Sequence, residues 1–221
     1  MFIIQRKMLN RFLRKYKMNT ADGRDRTVIF PRINGSLQLG KYSLASEDAE
    51  VRCFRMPKVV KVGKYCSLGR CYFAVDGNHN PSYASTYTFA ELGVCWKAPQ
   101  NQLEKALPTV GNDVWIGDDA YVLSGVHIGD GAIIGSNTIV TKNVEPYSVC
   151  VGNPGRIVKY RFEPDMIERF MAVQWWDLPD RVVVEELAPL IADPMAFLAA
   201  AERHGGVPLK RECVLNPRDG L

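Results

Sequence analysis

No stretch of the sequence approaches the roughly 18 consecutive apolar residues of a membrane-crossing helix, which argues for a chain in solution. No secretory leader is expected either: the apolar opening Met1 to Ile4 is cut short by Arg6 and Lys7, so cytoplasmic residence is the default expectation. The six cysteines, at 53, 66, 71, 95, 150 and 213, form no Cys-x-x-Cys pair, and no histidine spacing completes a zinc site. They read as structural thiols, and no metal is expected. Histidine is scarce, with only His79, His127 and His204. Acid is sparse at the start, where Asp22 and Asp25 stand against Arg6, Lys7, Arg11, Arg14, Lys15, Lys17, Arg24 and Arg26.

What is present is ordinary in bulk. The chain has 221 residues, 47% of them hydrophobic and 24% charged, with a formal net charge of +4. That is enough for one globular domain, or one domain with an appendage. Leu9, Phe12, Leu13 and Tyr16 fall at helical spacing opposite the early basic residues, so residues 1–30 read as a basic helical extension. Such a helix either packs on the rest of the chain, stays solvated, or lies on an anionic membrane surface.

From residue 110 the pattern changes. β-Branched residues recur every six positions at Val110, Ile116, Val122, Ile128, Ile134 and Val140. A helix repeats near 3.6 residues and a strand at 2, so a period of six requires a larger unit stacked on itself. Gly111, Gly117, Gly129 and Gly135 follow four of these positions and suit tight bends. The small residues Ala120, Ala132 and Thr138 stand four places after an apolar one. Three hexads per coil place each apolar residue under the one about 18 positions later at strand spacing, giving a triangular parallel prism.

The same phase returns upstream from Val62 to Ala74, eight hexads before Val110, while residues 80–109 carry no repeat and read as an excursion. Ile33 and Leu39 stand six apart but one out of phase with Val62, suggesting an earlier coil and a register correction near Met56 and Pro57. Beyond Val140, Pro146 and the run Gly152 to Gly155 end the pattern. Helices are expected from Pro164 through Met171, over 181–190 and over 194–203, closing the open end of the solenoid. The organisation is thus an extension over 1–30, a prism over 31–160 with an excursion at 80–109, and a helical segment over 161–221.

Three stretches resemble the hexapeptide-repeat acyltransferases, specifically the xenobiotic acetyltransferase branch containing type-B chloramphenicol and streptogramin acetyltransferases. They are VGNDVWIG from Val110 to Gly117, the run from Val140 to Gly155, and QWWDLP from Gln174 to Pro179. In that branch a histidine begins a loop ending in Ser-Thr-aromatic-Pro-Phe. Here Asn78-His79-Asn80 precedes Ser85-Thr86-Tyr87-Thr88-Phe89, with Thr88 in place of the proline. The resemblance implies a mainly β chain folded as a left-handed parallel β-helix with a long inserted loop and a C-terminal α-helical cap. It also implies a homotrimer with sites between subunits, acetyl-CoA as cosubstrate, and a small-molecule acceptor; no nucleic-acid partner is expected.

Acetyl transfer from a thioester to a hydroxyl needs a base for the hydroxyl proton, donors for the oxyanion and an acid for the leaving thiolate. One neutral imidazole can take the proton and return it. His79, at the mouth of the excursion, is the candidate; His127 ends a hexad pointing outward and His204 lies in a polar tail. Backbone N–H groups in the coil turns are expected to hold the oxyanion, and no covalent enzyme intermediate is expected. By resemblance Asp118 and Ser136 meet the pantetheine arm, Thr141 and Lys142 lie beside the nucleotide, and Arg156 and Lys159 approach the phosphates. Tyr83, Tyr87, Phe89 and Trp96 either line the acceptor pocket or anchor the long loop.

The acceptor stays open between an antibiotic hydroxyl and a sugar hydroxyl in surface-polysaccharide assembly. Zinc-dependent hydration of carbon dioxide on the same prism needs three convergent histidines, and His204 lies too far along the chain. A non-catalytic prism needs neither His79 nor the cations after Asn153.

Overall fold

A computed structural model of the chain describes residues 33–53, 56–91 and 93–205. The expected basic helix over 1–30 and Cys213 lie outside the described residues.

The repeat becomes three faces of a prism. Face one stacks Ser36–Leu39 (β2), Val59–Val62 (β5), Thr109–Val110 (β10) and His127–Ile128 (β13). Face two stacks Leu44–Ala45 (β3), Ser67–Leu68 (β6), Trp115–Ile116 (β11), Ile133–Ile134 (β14) and Ser148–Val151 (β16). Face three stacks Glu50–Cys53 (β4), Tyr72–Ala74 (β7), Tyr121–Val122 (β12) and Ile139–Val140 (β15). Neighbours within each of these stacks are parallel. Val144 bridges to Ile128 and opens a last, partial coil.

Strands this short have one side chain facing out and one facing in, so the apolar period of six marks one inward residue per face. Val62, Val110 and Ile128 stack on face one, Leu68, Ile116 and Ile134 on face two, and Phe73, Val122 and Val140 on face three. All nine are buried, with Ile116, Ile128 and Ile134 at 0% exposure. Each such isoleucine or valine contributes about 1.5–3 kcal/mol of burial, repeated up the axis. Ala120, Ala132 and Thr138 fill the corners, also at 0% exposure.

The earlier coil exists: Leu39 pairs with Val62, Ala45 with Leu68 and Val51 with Phe73. Its extra length is taken up between β4 and β5, around Met56 and Pro57. Ile33 does not belong to that coil, because Ile33–Asn34 (β1) runs antiparallel to β4. A six-residue spacing alone cannot distinguish a stacked coil from a strand that turns back along its edge.

The coil glycines act differently from expectation. The left-handed turn positions are held by Tyr42, Tyr65, Asp113, Asp119, Asn137 and Tyr147, together with Gly125 and Gly131, and not by the glycines that directly follow the repeat residues. Those glycines let coils approach: a Cβ on Gly117 would stand 2.7 Å from the Ser136 amide nitrogen, and one on Gly63 2.3 Å from the Gly111 carbonyl oxygen.

After β16 the chain turns back as Arg156–Tyr160 (β17), antiparallel to β16. Helices follow over Pro164–Val173 (α1) and Pro194–Glu202 (α2), the latter capped by the Asp193 carboxylate on the Met195 and Ala196 amides. Between them Trp175–Asp177 and Ala188–Leu190 are tight single turns, and Val182–Leu187 is wound wider. The expected cap over the open end is corrected in its placement. The segment's described contacts run down the corner between faces one and two, which Tyr42, Tyr65, Asp113, Gly131 and Tyr147 share.

Asp180 pairs with Lys41 and accepts from the Tyr42 hydroxyl, while Asp177 pairs with Lys64 at 2.8 Å. Trp175 packs on Tyr65 with ring centres 4.7 Å apart. Arg161 donates to Asp113 at 3.0 Å and to the Gly131 carbonyl at 2.7 Å. Tyr147 stacks on Phe170 and meets Phe162 at a tilt. Apolar cover for tyrosines at these turn positions explains the choice of a flank over an end. No helix among the described residues is long and apolar enough to cross a membrane.

Candidate active site

The excursion leaves the corner between faces three and one, after β7. It begins with a ribbon of its own, Asn78–His79 (β8) antiparallel to Gln102–Leu103 (β9), with His79 opposite Gln102. The return to the prism is complete at Thr109, the first residue of β10, one residue inside the expected boundary. Ser124, in the next coil, ties the root: its hydroxyl donates to the Ala74 carbonyl at 2.8 Å and accepts from the Asn78 amide at 3.3 Å.

His79 is exposed, and its Nδ1 stands 2.5 Å from the Thr86 carbonyl oxygen. A carbonyl only accepts, so Nδ1 carries the hydrogen and donates. In the neutral ring the lone pair then sits on Nε2, where it can accept a proton. The other two histidines are engaged elsewhere: His127 meets the Thr109 hydroxyl at 2.9 Å and His204 meets Glu186 at 2.8 Å. Residue scarcity pointed to His79, but nothing in the sequence marked the Thr86 carbonyl, because every residue has one.

The loop between the ribbon strands is closed by a buried amide that sequence reasoning passed over, Asn101, at 2% exposure. Its Oδ1 accepts from the Asn80 N–H at 2.9 Å, and its Nδ2 donates to the Ser85 and Tyr87 carbonyls at 3.1 and 3.4 Å. The Asn101 N–H donates to the Glu91 carboxylate at 2.8 Å. A polar residue inside a segment without periodicity was the available signal.

Tyr83, Tyr87, Phe89 and Trp96 all lie on this loop and all are exposed, Trp96 at 72%. Tyr87 and Phe89 meet edge to face with ring centres 4.7 Å apart. Tyr83 and Trp96 are exposed on the same loop, on either side of this pair in sequence.

Five of the six residues expected to meet the coenzyme divide between two corners, and Lys159 lies at neither. Asp118 and Ser136 follow the face-two strands β11 and β14, on consecutive coils at the corner between faces two and three, and Arg156 lies just past that corner, opposite Val151. Lys159 stands opposite Val149 on β17. Thr141 and Lys142 follow β15 at the corner between faces three and one, where the excursion also leaves. All six are exposed. Asp118 is partly committed to the fold, since its Oδ1 accepts from the Arg70 N–H at 2.8 Å and its carbonyl from the Asn137 N–H at 2.9 Å.

Burial pushes the Cys71 thiol up to about 12 and raises those of Cys66, Cys53 and Cys150, so these thiols stay protonated near neutral pH. Among the described residues no group of three His, Cys, Asp or Glu side chains is placed to hold a metal ion.

Comparison with known proteins fits this architecture. Residues 108–142 match the family described as "Bacterial transferase hexapeptide (six repeats)". A "Probable macrolide acetyltransferase" of Lysinibacillus sphaericus is 36% identical over 60% of this chain and 77% of its own length. A "Chloramphenicol acetyltransferase" of Agrobacterium fabrum is 37% identical over 53% of this chain and 59% of its own length. The "Virginiamycin A acetyltransferase" of Staphylococcus aureus is 42% identical over 62% of this chain and 65% of its own length. With its coiled repeat and these relatives, the chain belongs to the hexapeptide-repeat transferase family, among its acetyltransferases.

Proposed function

We propose that the chain transfers an acetyl group from acetyl-CoA directly to a hydroxyl of an antibiotic of the chloramphenicol or streptogramin type, with His79 as general base. The observation that carries this reading is the 2.5 Å contact from His79 Nδ1 to the Thr86 carbonyl, which leaves Nε2 as the accepting nitrogen of an exposed imidazole. The relatives named for chloramphenicol and virginiamycin A support the acceptor class.

His79 Nε2 takes the hydroxyl proton as the acceptor oxygen bonds to the thioester carbonyl carbon. Backbone N–H groups of the coil turns hold the oxyanion that forms. As the carbon–sulfur bond breaks, the Nε2 proton passes to the departing sulfur, leaving an acetyl ester and the free coenzyme thiol. No protein nucleophile is needed, in keeping with the protonated buried thiols.

The division of Asp118, Ser136 and Arg156 from Thr141 and Lys142 fits a coenzyme groove shared between prisms. One copy gives the corner between faces two and three, and its neighbour the corner from which the His79 loop leaves. The chain accordingly works as a homotrimer of left-handed prisms, and the neighbour closes over Tyr83, Tyr87, Phe89 and Trp96.

Coenzyme A release from acetyl-CoA is measured against chloramphenicol, a streptogramin A compound, a macrolide, and nucleotide- or lipid-linked sugars. An antibiotic is expected to stimulate release, and His79→Ala to lower kcat by about a hundredfold to ten-thousandfold. Stimulation by a sugar alone overturns the acceptor, and undiminished turnover by His79→Ala overturns the base.

A further inference from the structure

We propose that Asn101 is a positioning residue for His79, acting through the Thr86 carbonyl to set the tautomer and direction of the imidazole; this rests on the reading of His79 as the base. The argument begins with three successive carbonyls. Those of Ser85 and Tyr87 accept from Asn101 Nδ2, and the one between them, on Thr86, accepts from His79 Nδ1. Both hydrogens of one buried side-chain amide thus hold the two peptide units that flank the carbonyl facing the imidazole.

The same residue holds the other end of the loop. Asn101 Oδ1 accepts from the Asn80 N–H, and the Asn101 carbonyl lies 3.2 Å from the same nitrogen. Gln102, next in the chain, is the ladder partner of His79. Backbone and ring of His79 are therefore both fixed from residues 101 and 102. Among the described residues of this loop no apolar side chain is buried, so specific hydrogen bonds replace packing as the source of order. An asparagine is required because the task needs one acceptor and two donors on one short side chain.

Free imidazole favours the tautomer with hydrogen on Nε2, the wrong one for a base that must accept there. A carbonyl at Nδ1 reverses that preference only while it is aimed at the ring. Released from Asn101, the Thr86 peptide can rotate and the ring loses its tie.

The test uses nitrogen NMR of isotope-labelled histidine in the full chain at neutral pH. The chain has three histidines, and the His79 signal is assigned by its loss in His79→Ala. Wild-type His79 is expected to carry hydrogen on Nδ1. Asn101→Ala and Asn101→Asp are both expected to move it toward the Nε2–H form. Acceptor-dependent kcat should fall by about tenfold to a hundredfold, with KM for acetyl-CoA within about twofold.

Asn101→Asp keeps an oxygen for Asn80 but turns a second one toward the Ser85 and Tyr87 carbonyls, so it breaks the Thr86 side of the clamp alone. Its thermal midpoint, measured alongside, separates this loss from unfolding. An Nε2–H form in the wild type, or a folded variant that keeps the Nδ1–H form, overturns the proposal. Full turnover by His79→Ala overturns the base instead, while the tautomer measurement still decides whether Asn101 orients the ring.

Discussion

The prism and the excursion from it are ordered by different physics. In the prism, position is set by repetition: Ile116 and Ile134 are buried, paired in register and interchangeable in kind with their neighbours up the axis. In the loop from His79 to Gln102, position is set by single hydrogen bonds that occur once, centred on Asn101. Repetition gives stability with redundancy; the unrepeated loop gives a defined chemical group with little redundancy.

That contrast is sharpest when each side is broken separately. Ile116→Ala, in a site enclosed by coils above and below, should cost about 4 kcal/mol of stability, read as a lowered urea midpoint. His79→Ala should leave that midpoint in place while removing turnover. If Ile116→Ala is tolerated within about 1 kcal/mol, the core is not set by repetition.

Arg161→Met probes the junction of prism and helices and should cost about 2 kcal/mol near neutral pH. The effect should depend on pH. Burial raises the Asp113 carboxyl above its usual range, and Arg161 opposes that rise. The folded state therefore holds a proton where the unfolded chain has lost it, and stability from this group declines as pH rises through the window between the two. Without Arg161 the folded carboxyl is raised further and the decline extends over a wider pH window, so the penalty measured by urea unfolding should be smaller near pH ~4 than near pH ~7. An equal penalty at both would remove Asp113 from the account.

The smallest stability effect belongs to the loop surface. Trp96→Ala should change stability by less than about 0.5 kcal/mol, since the side chain is 72% exposed in the chain. If it walls the acceptor site, acceptor KM should rise by about fivefold. An unchanged KM would assign Trp96 to the loop alone.

The prism was legible because a spacing of six has no explanation within one strand or helix, and Val110 through Val140 keep it without a break. Helices near 164–173 and 194–202 were legible from Pro164, Pro194 and the apolar pattern, but their seat along a flank was not. That seat depends on Tyr42, Tyr65 and Tyr147 sharing a turn position in coils far apart in sequence. Ile33 kept the right spacing for the wrong reason, since its partner strand runs the other way. At the site, His79 stood out by scarcity and place. Its partners did not, because a backbone carbonyl at Thr86 leaves no trace in residue type and Asn101 gains its meaning only once the loop has closed on it.

Contacts from the C-terminal segment reach every level of the stack, from Lys41 and Lys64 through Asp113 and the Gly131 carbonyl to Tyr147. A bare solenoid is a one-dimensional array whose end repeats can fray independently, because each touches only its neighbours. Here one continuous segment couples the first coil to the last, so loosening either end loosens the shared splint. The array should therefore melt as one cooperative unit, with the nearest-neighbour arithmetic of open repeat proteins no longer applying.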